Sequence, residues 1–134
     1  MIIRRIEIEN FRSYYGNENV FEFGNGLTLI LGDNGDGKST FFEALQWLLD
    51  ISSTDEVQKS HVLDNFSEMR KSKLEIGESA NLRVKMDFEH DGRKSVEKTF
   101  VITRKGNEHF DVSDMKFKGM EETDEGRLSA DQPA

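Results

Sequence analysis

"LILGDNGDGKSTFFEALQWLL", residues 29–49, decides how the chain is read. An apolar run gives way to three glycines and a lysine, and these to an apolar stretch with helical spacing. Gly32, Gly37, Lys38 and Ser39 satisfy G-x-x-x-x-G-K-[ST], a pattern that binds phosphate when it joins a strand to a helix. Both neighbours are expected here. "LTLIL", 27–31, has no polar alternation beyond Thr28, as in a central strand covered on both faces. Phe41, Ala44, Leu45 and Leu48 fall at i, i+3, i+4 and i+7, one face of a helix expected from about Gly37 to Leu49. Phe42, Trp47 and Leu49 widen that face, which predicts a helix covered on most sides.

The chemistry of the loop follows from its residue types. Glycines let the backbone curl so that successive N–H groups converge on an anion, a concavity that side chains would obstruct. The helix start adds unpaired N–H groups and the positive end of its dipole. Lys38 is placed for the β- and γ-phosphates, Ser39 for Mg²⁺ through its hydroxyl, and Thr40 for the α-phosphate. Asn34 can donate from its amide and tolerates positive φ. Asp36 is expected to point outward, away from a polyanion. The candidate site is therefore Asp33, Asn34, Gly35, Asp36, Gly37, Lys38, Ser39 and Thr40, with a nucleoside triphosphate and Mg²⁺ as its expected occupants, which the resemblance described below narrows to ATP.

Outward from the loop, Ile6 and Ile8 alternate with Glu7 and Glu9 in a strand that ends near Asn10. "FRSYYGNEN" reads as a loop, "VFEF" as a second strand, and "GNG", 24–26, as its break. After the helix, Val62, Phe66 and Met69 permit a short helix beyond Ser60, and "KSKLEIGES" looks irregular. From Ala80 the alternation sharpens: Leu82, Val84, Met86 and Phe88 against Arg83, Lys85, Asp87 and Glu89. Asp91-Gly92 predicts a two-residue hairpin turn, with Val96, Phe100 and Ile102 on the returning strand. "KGNE" turns the chain toward Phe110 and Val112, and the slipped alternation before Met115 predicts a bulge near Ser113 and Asp114. "EETDEGRLSADQPA" has no apolar period and reads as a loop or frayed end.

Composition bounds the rest. A chain of 134 residues holds one domain with a core, and ten phenylalanines argue against disorder. The absence of cysteine excludes disulfides and thiolate metal sites. "MIIRRIEIEN" lacks the apolar run of a signal peptide or membrane span, so a soluble, cytoplasmic protein without a membrane partner is expected. A net charge of -8 argues against the bulk of the chain acting as a nucleic-acid clamp. Residues 59–105 nevertheless carry eleven Lys/Arg against eight Asp/Glu, while 106–134 carry three against eight. Arg83, Lys85, Arg93 and Lys94 in that basic middle are candidate DNA contacts, against the ordinary alternative of a solvated strand face.

"IRRIEIENFRSYYG", "FEFGNGLTLILGDNGDGKSTFFEALQWLL" and the spacing between them resemble the start of an SMC-type ATPase, the group of SMC proteins, the RecF and RecN repair ATPases and their relatives in defence. The resemblance is strong over residues 1–50 and weaker over 80–120. Within the group, "GDNGDGKSTFFEALQWL" is most similar to bacterial SMC-like defence subunits such as those of Lamassu type. The resemblance implies an α/β P-loop NTPase fold, the amino-terminal lobe of an ABC-type head with a mixed sheet, the P-loop helix and an antiparallel meander. It implies a lobe at 1–120, with 121–134 an acidic tail or loop leading to the remainder. It also places Arg12 and Ser13 near the nucleotide, the arginine against its phosphates, with a surface cation as the plain alternative for Arg12. Tyr14, Tyr15 and Trp47 are expected to pack in the core.

The departures from that group are informative too. No apolar strand ends in Asp-Glu, no "LSGG"-like signature is present, and no heptad run marks a coiled-coil arm; Gln132 is a possible but unsupported metal partner. The expectation is thus a nucleotide-binding half-site within a larger ATPase, with hydrolysis reserved to the complete protein. The implied partners are the carboxy-terminal lobe of its own head, a second head in a homodimer, DNA, and a nuclease or other defence subunits. Two alternatives stay open: the ATPase part of an OLD-type nuclease, and a non-catalytic interaction module with a purely structural loop. A small metabolite kinase is disfavoured, since such enzymes usually open directly on the P-loop strand.

Overall fold

The computed structural model describes residues 2–17, 19–27, 36–50, 52–122 and 128–130. In chain order the elements are β1 (Ile2–Glu9), β2 (Asn19–Leu27), α1 (Asp36–Leu49), α2 (Asp55–Ser60), α3 (Val62–Asn65), α4 (Glu68–Lys73), β3 (Ser79–Glu89), β4 (Arg93–Arg104), β5 (Phe110–Val112), β6 (Lys116–Glu122) and β7 (Leu128–Ala130). The strands form one sheet in the order β2-β1-β3-β4-β6-β7, with β5 also pairing β4. Every pair among the described residues is antiparallel.

Two-residue alternation sorts this sheet into faces. Ile3, Ile6 and Ile8 of β1, Leu82, Val84 and Met86 of β3, and Phe100 and Ile102 of β4 are all buried on one side. Ala44, Leu45 and Leu48 of α1 complete that core with Val62, Phe66 and Leu74 from the helical segment. The other side is polar and internally paired. Arg83 Nε meets Glu97 at 2.6 Å and its Nη2 meets Glu7 at 3.5 Å, while Lys85 lies 3.9 Å from Glu7.

Several expectations are corrected by the sheet. "GNG" does not break β2, which runs through it to Leu27; the pairing of β1 with β2 shifts register between Ile3 and Arg5, and that irregularity absorbs the glycines. Residues 28–31 of the expected central strand lie outside the described residues. The β3–β4 hairpin closes at Glu89↔Arg93, so His90, Asp91 and Gly92 make a three-residue loop. Asp91 and Gly92 do adopt the anticipated positive φ, 56° and 111°. Residues 55–73 hold three short helices where one was expected, and the unpatterned final stretch contributes β7, paired with β6 at Met120↔Ala130. Leu49 is exposed, so α1 is less enclosed than its sequence suggests, and Tyr15 is exposed beneath the Lys73 amine instead of packing in the core. Tyr14 packs edge-on against Phe21, and Trp47 lies between Phe11 and Phe100, as expected. The expected irregularity at Ser113 is present: residues 113–115 separate β5 from β6 opposite only Phe100 and Val101.

One inward position of β4 carries a charge. Lys98 is 1% exposed among the apolar side chains. Its Nζ donates to the Trp47 carbonyl at 2.5 Å and to Gln58 Oε1 at 2.6 Å, and lies 4.9 Å from the Trp47 ring. Gln58 Nε2 in turn donates to the carbonyls of Ser53 and Asp50. The last turn of α1, whose carbonyls have no partner within the helix, is thus capped from the sheet. Among the described residues no helix is long and apolar enough to cross a membrane.

Candidate nucleotide-binding site

The helix start that should receive an anion is where the sequence puts it. Asp36, Gly37, Lys38, Ser39 and Thr40 form the opening residues of α1, of which only the backbone is described. Asp33, Asn34 and Gly35 lie outside the described residues. A 14-residue helix offers unpaired N–H groups and a positive dipole end at that position.

The loop after β1 is built against this helix. Asn10 has φ 55°, in the left-handed region that asparagine tolerates better than most residues. Both ends of its side-chain amide are engaged: Nδ2 donates to the Asn81 carbonyl at 2.8 Å and Oδ1 accepts from the Gly16 N–H at 2.8 Å. The next residues are stitched to the helical segment. Ser67 N–H donates to the Asn10 carbonyl at 2.8 Å, Phe11 bridges Phe66, and the Arg12 N–H donates to the Asn65 carbonyl at 2.7 Å. Phe11 and Phe66 are both 1% exposed, so the loop is anchored by burial as well as by hydrogen bonds.

Arg12 itself has φ 49° and an accessible guanidinium. Its Nε and Nη2 donate to Asn65 Oδ1 at 3.1 and 3.0 Å, and its Nη1 donates to Glu43 of α1. Glu43 stands four residues after Ser39, on the same helical face and about 6 Å further along the axis. Arg12 is therefore brought to the side of α1 within one to two turns of residues 38–40. Ser13 is exposed and borders a shallow recess with Tyr15, Phe66 and Met69; no described contact joins it to α1. A cavity of about 620 Å³ opens beside the helix, lined by Phe11, Arg12, Phe42, Glu43, Trp47 and Asn65.

Sequence reasoning missed Glu43, Asn65 and Lys98. The single available signal was the spacing of Glu43 from Ser39; the approach of Asn65 and Lys98 is a tertiary matter. Of the basic strand residues Arg83, Lys85, Arg93 and Lys94, Arg83 is ion-paired with Glu97 at 2.6 Å, while Lys85 and Lys94 lie 3.9 Å from Glu7 and Glu121. Gln132 lies outside the described residues, and among those described no cluster of His, Asp and Glu could hold a metal.

Comparison with known proteins agrees with the fold. Residues 5–130 match the AAA domain family. The chain belongs to that family. The DNA double-strand break repair Rad50 ATPase of Methanococcus maripaludis is 28% identical over 109 residues, which cover 81% of this chain and 9% of that protein. Its namesake in Thermoplasma acidophilum is 33% identical over 107 residues, 78% of this chain and 9% of the relative. Structural maintenance of chromosomes protein 3 of Caenorhabditis elegans is 45% identical over 49 residues, 37% of this chain and 4% of that protein. The chain thus spans less than a tenth of the length of each. This AAA domain is the amino-terminal part of an SMC/Rad50-like, ABC-type ATPase head, and its mixed α/β architecture is that of the corresponding P-loop NTPase lobe.

Proposed function

We propose that the chain binds ATP with Mg²⁺ at the start of α1 and serves as the nucleotide-binding lobe of a DNA-associated ATPase. The observation that carries the reading is the convergence of two features on one helix: G-x-x-x-x-G-K-[ST] leads into the amino terminus of α1, and Arg12 is delivered to the same helix from the loop after β1. Lys38 and the backbone of 33–39 would cradle the phosphates, Ser39 would hold the metal, and Thr40, Arg12 and Ser13 would complete the surroundings. The names of the relatives support a setting in DNA repair or chromosome maintenance. The similarity of residues 32–48 to Lamassu-type subunits supports a role in defence.

Positioning and charge stabilisation account for most phosphoryl-transfer catalysis, and the chain supplies no water-activating carboxylate in a recognisable strand. By this reading it binds nucleotide and turns it over very slowly alone. In the complete protein a second head and a carboxy-terminal lobe would close the site, so that ATP joins two heads and hydrolysis parts them in step with DNA binding.

Titration with MgATP, comparing the wild type with Lys38→Ala, tests the reading. A lost charge-assisted contact of about 1.5–3 kcal/mol predicts affinity lowered about 10- to 150-fold. Equal binding by both chains, or binding by neither, would favour a structural loop in an interaction module.

A further inference from the structure

We propose that Glu43 and Asn65 are positioning residues that hold the Arg12 guanidinium for the phosphates of the bound nucleotide. The proposal rests on the nucleotide reading above and adds to it the groups that orient its arginine.

Arg12 is over-determined for a side chain that is 44% exposed. Its backbone is fixed in the left-handed region by the bond to the Asn65 carbonyl. Its guanidinium is held on one edge by Asn65 Oδ1 and at Nη1 by Glu43, and lies 5.6 Å from the ring centre of buried Phe11. The orientation of Asn65 is itself set, because its Nδ2 donates to the His61 carbonyl at 3.3 Å; Oδ1 therefore faces Arg12. Exposed ion pairs add little to stability, and ordering an arginine costs side-chain entropy. Convergence of a helix carboxylate, a set amide and an aromatic ring on one exposed cation is better explained by a need for its direction than by a need for its energy.

The donor count agrees. A guanidinium has five N–H groups, and the contacts with Asn65 and Glu43 use three. One N–H on each terminal nitrogen has no acceptor among the described residues, which is the pair a phosphate oxygen could take. Glu43 lies on the Ser39 face of α1, so its grip keeps the cation on the side where the phosphates are read to sit. It also places a carboxylate near a polyanion, an arrangement tolerable when the arginine shares its charge.

A double-mutant cycle on MgATP affinity tests this, with thermal midpoints recorded for every variant. Glu43→Gln and Asn65→Ala should each weaken binding about three- to tenfold, with Glu43→Asp restoring most of the loss. Neither change should weaken binding further in an Arg12→Met background. Unchanged or tighter binding by Glu43→Gln, or an equal loss with and without the arginine, would overturn the positioning role. Failure of Lys38→Ala to weaken binding would instead remove the nucleotide reading, and this proposal with it. A loss that merely tracks lowered thermal midpoints, and that Glu43→Asp does not recover, would count as structural and against the proposal.

Discussion

Replacing Lys98 by methionine should change how stability depends on pH, by an amount the structure allows to be worked out. Burial, first, lowers the Lys98 amine from 10.5 to about 8, with Asp50 and Asp55 opposing the shift. Because the folded-state value is the lower one, the unfolded chain binds more protons between about 8 and 10.5. Stability from this group therefore rises with pH across that window and is flat below it. A gap of roughly 2.5 pH units at ~1.4 kcal/mol each keeps the gain below about 4 kcal/mol. Tyr14, whose phenol burial raises, acts in the opposite sense at higher pH, but it is common to both chains and cancels in their difference. Urea unfolding of the wild type and Lys98→Met from pH 7 to 10 would measure that difference. Trp47 is the sole tryptophan and sits 4.9 Å from the amine, so its emission should also titrate near pH 8 in the wild type alone. A stability difference that stays constant over the range would refute the lowering of the Lys98 amine by burial.

Asn10→Ala would leave the Asn81 carbonyl and the Gly16 N–H without their side-chain partner and put alanine at φ 55°. A loss of about 3 kcal/mol is expected in chemical denaturation, and a loss under ~1 kcal/mol would show that the loop anchors itself by other means. Asp50 accepts hydrogen bonds from Ser52 and Ser53, which hold its carboxyl at about 2 against 3.8 ordinarily. Its contribution is present above pH ~4 and disappears as pH falls through about 2. Carboxyl titration by NMR should show this, with Ser52→Ala moving the midpoint back toward 3.8.

What the sequence disclosed was mostly local. Helical spacing located α1 and its buried residues Ala44, Leu45 and Leu48, and strict alternation located β3, because both signals repeat within one element. Helices of four to six residues hold too few turns to repeat anything, so α2, α3 and α4 were read as a single short helix on Val62, Phe66 and Met69, although Thr54 and Ser67 cap the first and last of them. The pattern of β4 skipped a place between Val96 and Phe100, and that place is Lys98; only the arrival of the α1 terminus and Gln58 makes a cation tolerable there. In the candidate site the phosphate loop was legible as a motif. The partners of Arg12 were not, since Glu43 and Asn65 are 31 and 53 residues distant along the chain and nothing short-range announces them.

Strand β1 is flanked by β2 on one side and by β3 on the other, and its β3 partners, Phe88 for Ile3 and Arg83 for Glu9, are synthesised long after it. A growing polypeptide holding only the first two strands is a lone hairpin, which is marginal in water, and the floor on which α1 rests is then half laid. The candidate nucleotide site must accordingly wait on the ribosome until residue 89 has emerged and an excursion of over seventy residues has been closed. Pulsed hydrogen exchange during refolding should find the amides of α1 protected no sooner than those of β3.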